Sequence, residues 1–189
     1  MNNFFYNRVP MIPKTQLITI VVLIVCWIYM PSKSPAVDLK VLGLRGGISD
    51  YRNDEDFRQF EGFAIWSLPW VWQFASDWRI GTFLEVNAGL LHGGGESAFV
   101  GSAGPGINIS GFGDKIDIPM GVNATIISDH TFGDEDFGGP FQFTSHIGLD
   151  YYFTRHFIMG YRLQHMSNAG IYSPNPGVNI HMLAVGYRF

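Results

Sequence analysis

His165 and Ser167 stand two positions apart, and Asn179 and His181 follow on the next apolar stretch. A serine hydroxyl is a weak nucleophile until a neighbouring imidazole takes its proton. A third group must then hold that imidazole in the right tautomer. These residue types are therefore the parts of an acyl-transfer site. In an extended chain, residues i and i+2 share a face, so His165 and Ser167 point the same way. Phe157, Met159, Tyr161 and Leu163 precede them in the same register. On the last segment, the register traced back from Phe189 through Tyr187, Val185 and Leu183 reaches His181 and Asn179. Ser167, His165 and Asn179 thus meet on the greasy face of two strands, where only an ester lying in a membrane would reach them. His181 shares that face and reads as an interfacial residue.

The elements that must position these groups are strands. From Val37 onward the chain contains eight strand-like segments and no apolar pattern of helical period. In the third, Ile80, Thr82, Leu84, Val86, Ala88 and Leu90 alternate with Arg79, Gly81, Phe83, Glu85, Asn87 and Gly89. The fifth alternates Ile116, Ile118, Met120, Val122 and Ile126 with Lys115, Asp117, Asn123 and Thr125. Glu85, Arg79, Asp117 and Lys115 read as an interior ion network. The second segment is weakened by Pro69, which removes a ladder donor. Trp66, Trp70, Trp72 and Trp78 read as an aromatic girdle at one membrane interface.

Connections alternate in length. Ala75-Ser76-Asp77, Ser110 to Asp114 and Thr154-Arg155-His156 are short turns, whereas the other connections are long, polar and Gly-rich. The longest runs from about Ile127 to Pro140. An even number of antiparallel strands with short turns on one side and long loops on the other predicts an all-β fold. The expected architecture is an eight-stranded antiparallel transmembrane β-barrel in an outer membrane, with the site facing the outer leaflet. A sheet in lipid must close, because unpaired backbone edges there cost several kcal/mol each. Phe189, preceded by apolar residues at alternate positions, looks like the signal read by the outer-membrane assembly machinery.

Composition agrees. Charged residues are 15% of the 189-residue chain, below the roughly 25% of an ordinary soluble domain. The formal charge of −4 offers no footprint for nucleic acid. A soluble β-sandwich is the other class that this composition admits. At the N-terminus, Arg8 and Lys14 precede an apolar run from Leu17 to Met30, followed by Ser34 and Ala36. That run is shorter than the roughly 20 residues needed to span a bilayer as a helix. It predicts a signal peptide over residues 1–36, cleaved after Ala36, and a barrel domain over 37–189; an uncleaved anchor is the alternative. The sole cysteine, Cys26, falls within the run, and Val25 before it is too large for the usual lipoprotein-processing site. The acidic loops carry no fixed metal-ligand spacing.

The string His165-Met166-Ser167-Asn168-Ala169-Gly170, followed by Pro174-Asn175-Pro176-Gly177 and a terminal Tyr187-Arg188-Phe189, resembles the lipid A 3-O-deacylases. The resemblance is strong over the last two segments and elsewhere rests on barrel length and strand count. It implies Ser167 as nucleophile, His165 as general base, and the Gly170 backbone N–H with the Asn175 side chain as oxyanion hole. It implies lipopolysaccharide, through its lipid A, as partner, beside the outer-membrane lipids. It calls for no metal or cofactor, and it leaves a homodimer open. The family's acid lies twelve residues after the serine, as Glu in its best-known members; here that position is Asn179. An Asn orients a His by hydrogen bonding but supplies no charge to the imidazolium. No carboxylate on the neighbouring outward faces is expected to replace it: Asp150 lies on the inward register, and the loop around Asp134 is unconstrained. Two other readings stay open, a non-catalytic structural or adhesive barrel and a different lipid-modifying barrel such as an acyltransferase.

Overall fold

The computed structural model describes residues 37–50 and 55–189. The expected signal peptide and residues 51–54 of the first acidic loop lie outside the described residues. Strands β1 (Asp38–Ser49), β2 (Arg58–Gln73), β3 (Arg79–Gly93), β4 (Glu96–Gly111) and β5 (Ile116–Ile127) are followed by a small hairpin. That hairpin is β6 (Thr131–Phe132) and β7 (Glu135–Asp136), and β8 (Phe141–Tyr152), β9 (Phe157–Ser167) and β10 (Val178–Arg188) complete the chain. The eight long strands form one closed barrel in the order β1-β10-β9-β8-β5-β4-β3-β2. Every pairing is antiparallel, including the β1–β10 closure.

Alternation decides which side chains face outward. On β10, Leu183 and Val185 are 72% and 55% exposed, while Ile180 and Met182 before them are fully buried and Ala184 between them is buried. The exposed face is apolar all round the wall, from Leu42 and Leu44 on β1 to Met159 and Tyr161 on β9. Water would penalise such a surface, and lipid accepts it. The interior is filled with side chains, as the narrow bore of eight strands requires. One apolar layer, with Phe63, Phe83 and Ile158, lies toward the short turns; another, with Leu91, Met166 and Met182, lies toward the long loops.

Between these layers lies a buried polar band. Arg45 hydrogen-bonds Glu61 and Asn87, and its guanidinium is 2.9 Å from Glu85 Oε1. Arg162 also donates to Glu85, at 2.7 Å. Lower down, Lys40 and the Tyr152 hydroxyl both donate to Asp117, at 2.9 and 2.8 Å. Glu85 and Asp117 are thus interior as expected, but Arg79 and Lys115 are not their partners. Arg79 pairs at the surface with Asp114, 2.6 Å away, and Lys115 is exposed at the same turn. Alternation predicts the face of a residue; it does not say that a strand end has already left the barrel.

Two irregularities follow from sequence. Leu68 pairs with Thr82 and Val71 with Gly81, so Pro69 and Trp70 form a bulge in which the missing proline N–H breaks no ladder bond. The long loop after β5 folds back as the β6–β7 hairpin. Phe132 and Phe137 from this hairpin pack with Phe57 in a fully buried trio over the barrel mouth. Each such side chain contributes about 1.5–3 kcal/mol on burial.

Candidate active site

The site lies where β9 ends, β10 begins and β1 ends. Backbone pairing sets Asn179 directly opposite His165. Ser49 pairs with Ile180, and the next residue, Asp50, donates its N–H to the Asn179 carbonyl at 3.1 Å. The ladders therefore fix three side-chain positions before any side chain is considered.

His165 Nδ1 is 2.8 Å from Asn179 Oδ1. Asn179 Nδ2 in turn donates to Asp50 Oδ2 at 3.0 Å. The amide orientation follows from its partners. A carboxylate only accepts, so the NH2 group faces Asp50 and the carbonyl oxygen faces His165. His165 Nδ1 must then carry the proton, which leaves the lone pair on Nε2. A carboxylate does stand behind the orienting residue, contrary to expectation. Asp50 reads in sequence as the first residue of an acidic loop, and barrel closure brings it to Asn179.

Ser167 lies two residues beyond His165 on the same strand and face, half-buried where His165 is exposed. Among the described residues, Ser167 and His165 share no hydrogen bond. The structure thus joins His165 to Asn179 and sets Ser167 beside them without closing the last contact. Catalytic hydrogen bonds in the absence of substrate are commonly long and tighten only when it binds.

Asn168 organises the loop after Ser167, a role that sequence did not reveal. It is fully buried. Its Nδ2 donates to the carbonyls of Phe137 and Pro174, both at 2.9 Å. Its Oδ1 accepts from Gly170 N–H at 2.8 Å and Tyr172 N–H at 3.4 Å. Its own N–H donates to Asn175 Oδ1 at 3.0 Å. That last bond fixes the Asn175 amide and turns its NH2 group away from Asn168, as a donor to an oxyanion needs. The Gly170 N–H is engaged with Asn168 Oδ1, and it reaches an oxyanion only by exchanging that bond. In the hairpin loop that supplies the Phe137 carbonyl, Gly138 N–H and His130 hold the Asp136 carboxyl below its ordinary range.

Gly177 closes the site from the far side. Its φ is +68°, and a Cβ there would lie 2.9 Å from His165 Cε1 and 3.4 Å from Nε2. Gly177→Ala should push the imidazole off Asn179, and a displacement of this kind costs about 10²-fold in rate. Turnover of an ester substrate by the folded variant checks this; a rate within twofold of the parent would mean that the ring has room to spare.

A family model described as Lipid A 3-O-deacylase (PagL) matches residues 59–188. Over 77 residues the chain is 43% identical to the lipid A deacylase PagL of Bordetella bronchiseptica (strain ATCC BAA-588 / NCTC 13252 / RB50). That match covers 41% of this chain and 43% of the relative, so it spans less than half of the relative's length. The crystal structure of the outer membrane enzyme PagL superposes with a TM-score of 0.67 at 22% identity. It covers 77% of this chain and 97% of the other, a likeness of fold.

Proposed function

The chain belongs to the lipid A 3-O-deacylase (PagL) family, and on that premise we propose that it hydrolyses the 3-O-linked acyl ester of lipid A by a Ser/His mechanism. The protein is an outer-membrane β-barrel. We read its long-loop end as outermost, with the site at the level of the outer-leaflet head groups. Residues 1–36 are proposed as the removable export signal and 37–189 as the barrel domain.

The observation that carries the mechanism is the 2.8 Å contact between His165 Nδ1 and Asn179 Oδ1 on the apolar wall. It leaves the Nε2 lone pair available as the base that this reading assigns to Ser167. Ser167 Oγ attacks the ester carbonyl carbon as Nε2 takes the hydroxyl proton. The Asn175 NH2 group and the Gly170 N–H, once released from Asn168, donate to the oxyanion, where preorganised donors contribute most. Collapse breaks the ester bond, and His165 returns the proton to the departing 3-hydroxyl of lipid A. Water, deprotonated by the same nitrogen, then attacks the acyl-enzyme and frees the fatty acid and Ser167.

Mass spectrometry of lipid A after incubation with the refolded barrel tests this reading. Loss of one 3-linked hydroxyacyl chain is expected with the parent and absent with Ser167→Ala. Unchanged lipid A beside a parent barrel that shows normal heat-modifiable mobility would defeat the proposal.

A further inference from the structure

We propose that Asp50 is a positioning residue of this esterase, acting through Asn179 to lock His165 in the Nδ1-protonated tautomer. The inference rests on the Ser/His reading above. The observed chain is Asp50 Oδ2, Asn179 Nδ2 at 3.0 Å, Asn179 Oδ1, and His165 Nδ1 at 2.8 Å. An aspartate, an amide and an imidazole thereby stand in for the two-membered acid–imidazole pair of a Ser-His-Asp triad.

An amide alone would make a poor orienting group. Its two ends have nearly the same shape, and a half-turn presents NH2 instead of carbonyl to the imidazole. His165 would answer by placing its own proton on Nε2, because a neutral ring has one donor and one acceptor. That tautomer cannot take a proton from Ser167, the fault that makes the Asp→Asn change in chymotrypsin-like proteases so damaging. Asp50 removes the degeneracy. In the flipped state the Asn179 oxygen would face a carboxylate oxygen, two acceptors with no proton between them. The lock is also rigid, because Asp50 is anchored by its N–H on the Asn179 carbonyl at 3.1 Å. Its negative charge lies one amide away from the imidazolium that forms in the reaction.

A purely structural role, capping the end of the β1–β10 ladder, predicts lost stability and nothing more. The test therefore reads both rate and tautomer. Asp50→Ala should lower kcat by about 10³- to 10⁴-fold, the scale of a wrong-tautomer defect, with KM within about twofold. Adding Asn179→Glu should recover most of that loss, since a carboxylate at 179 needs no lock. Nitrogen-15 NMR of His-labelled barrel should show His165 protonated on Nδ1 in the parent and moved toward Nε2 in Asp50→Ala. An unchanged kcat in Asp50→Ala would overturn the proposal, as would a loss that Asn179→Glu leaves in place with the tautomer unaltered. If Asp50→Ala does not fold, the parent spectrum still decides, because an Nε2-protonated His165 contradicts the lock. A parent that leaves lipid A intact, while Asp50→Ala still moves the His165 proton from Nδ1 to Nε2, would fail the esterase reading and keep the tautomer lock.

Discussion

Ser167→Ala is expected to lower kcat by about 10⁶-fold and His165→Ala by about as much, with the double variant no worse than either alone. In the proposed mechanism the two side chains perform one step. The hydroxyl attacks only as its proton leaves, and the imidazole accepts a proton only from a nucleophile held against it. Removing either abolishes the transfer, so the second loss finds nothing left to remove. What survives in each variant is the contribution of the oxyanion donors and of binding. KM should stay near the parent value, because the exposed apolar residues Tyr161, Leu163 and Leu183 beside the site are untouched. Rates of fatty-acid release in mixed micelles, with folding checked by heat-modifiable mobility, measure both constants. A Ser167→Ala protein within tenfold of the parent would take Ser167 out of the chemistry. Losses that multiply in the double variant would show that the two residues act in separate steps.

The positions of these two residues were legible in sequence because period-two alternation is the strongest local signal a strand carries. Tracing the odd register of β9 and β10 put His165 and Asn179 on one face, and the ladder sets them directly opposite each other. Asp50 was not legible in the same way. It lies 129 residues from Asn179, and only the closure of β1 on β10 brings them together. A residue that begins a loop in sequence is, in a barrel, also the neighbour of whatever begins the last strand. The β6–β7 hairpin escaped for a different reason: strands of two residues have no period to detect. Asn168 was visible as a letter of the His-Met-Ser-Asn-Ala-Gly string, but its role depends on carbonyls of Phe137 and Pro174 that only the folded loops supply. In the polar band, alternation placed Glu85 and Asp117 correctly. It could not choose Arg45 and Arg162 over Arg79 as partners, because choosing needs the stagger between strands as well as the face.

Glu85→Leu is expected to destabilise the folded barrel by about 3–5 kcal/mol, the cost of leaving a buried charge without its partner. Glu85 is fully buried and binds two guanidinium groups, with Arg45 at 2.9 Å and Arg162 at 2.7 Å. Asn123 Nδ2 donates to its second oxygen at 3.3 Å. The two arginines differ in what they lose. Arg45 keeps Glu61, whereas among the described residues Glu85 is the one carboxylate within ion-pair distance of Arg162. Most of the penalty should therefore reside on Arg162, and Glu85→Leu combined with Arg162→Leu should be less damaging than Glu85→Leu alone. The coupling should amount to about 0.5–3 kcal/mol in a double-mutant cycle. Urea midpoints of the barrel in detergent or lipid, compared across the parent, both singles and the double, measure it. The consequence reaches the site. Arg162 lies three residues before His165 on β9, Arg45 lies five before Asp50 on β1, and Glu85 on β3 holds both. The network thus braces the two strands whose ends carry the imidazole and the carboxylate. Loss of activity should accompany loss of stability even under conditions where Glu85→Leu remains folded. A midpoint unchanged by Glu85→Leu would mean that the backbone ladder alone holds these strands in register, and that the interior charges are compensated by groups other than one another.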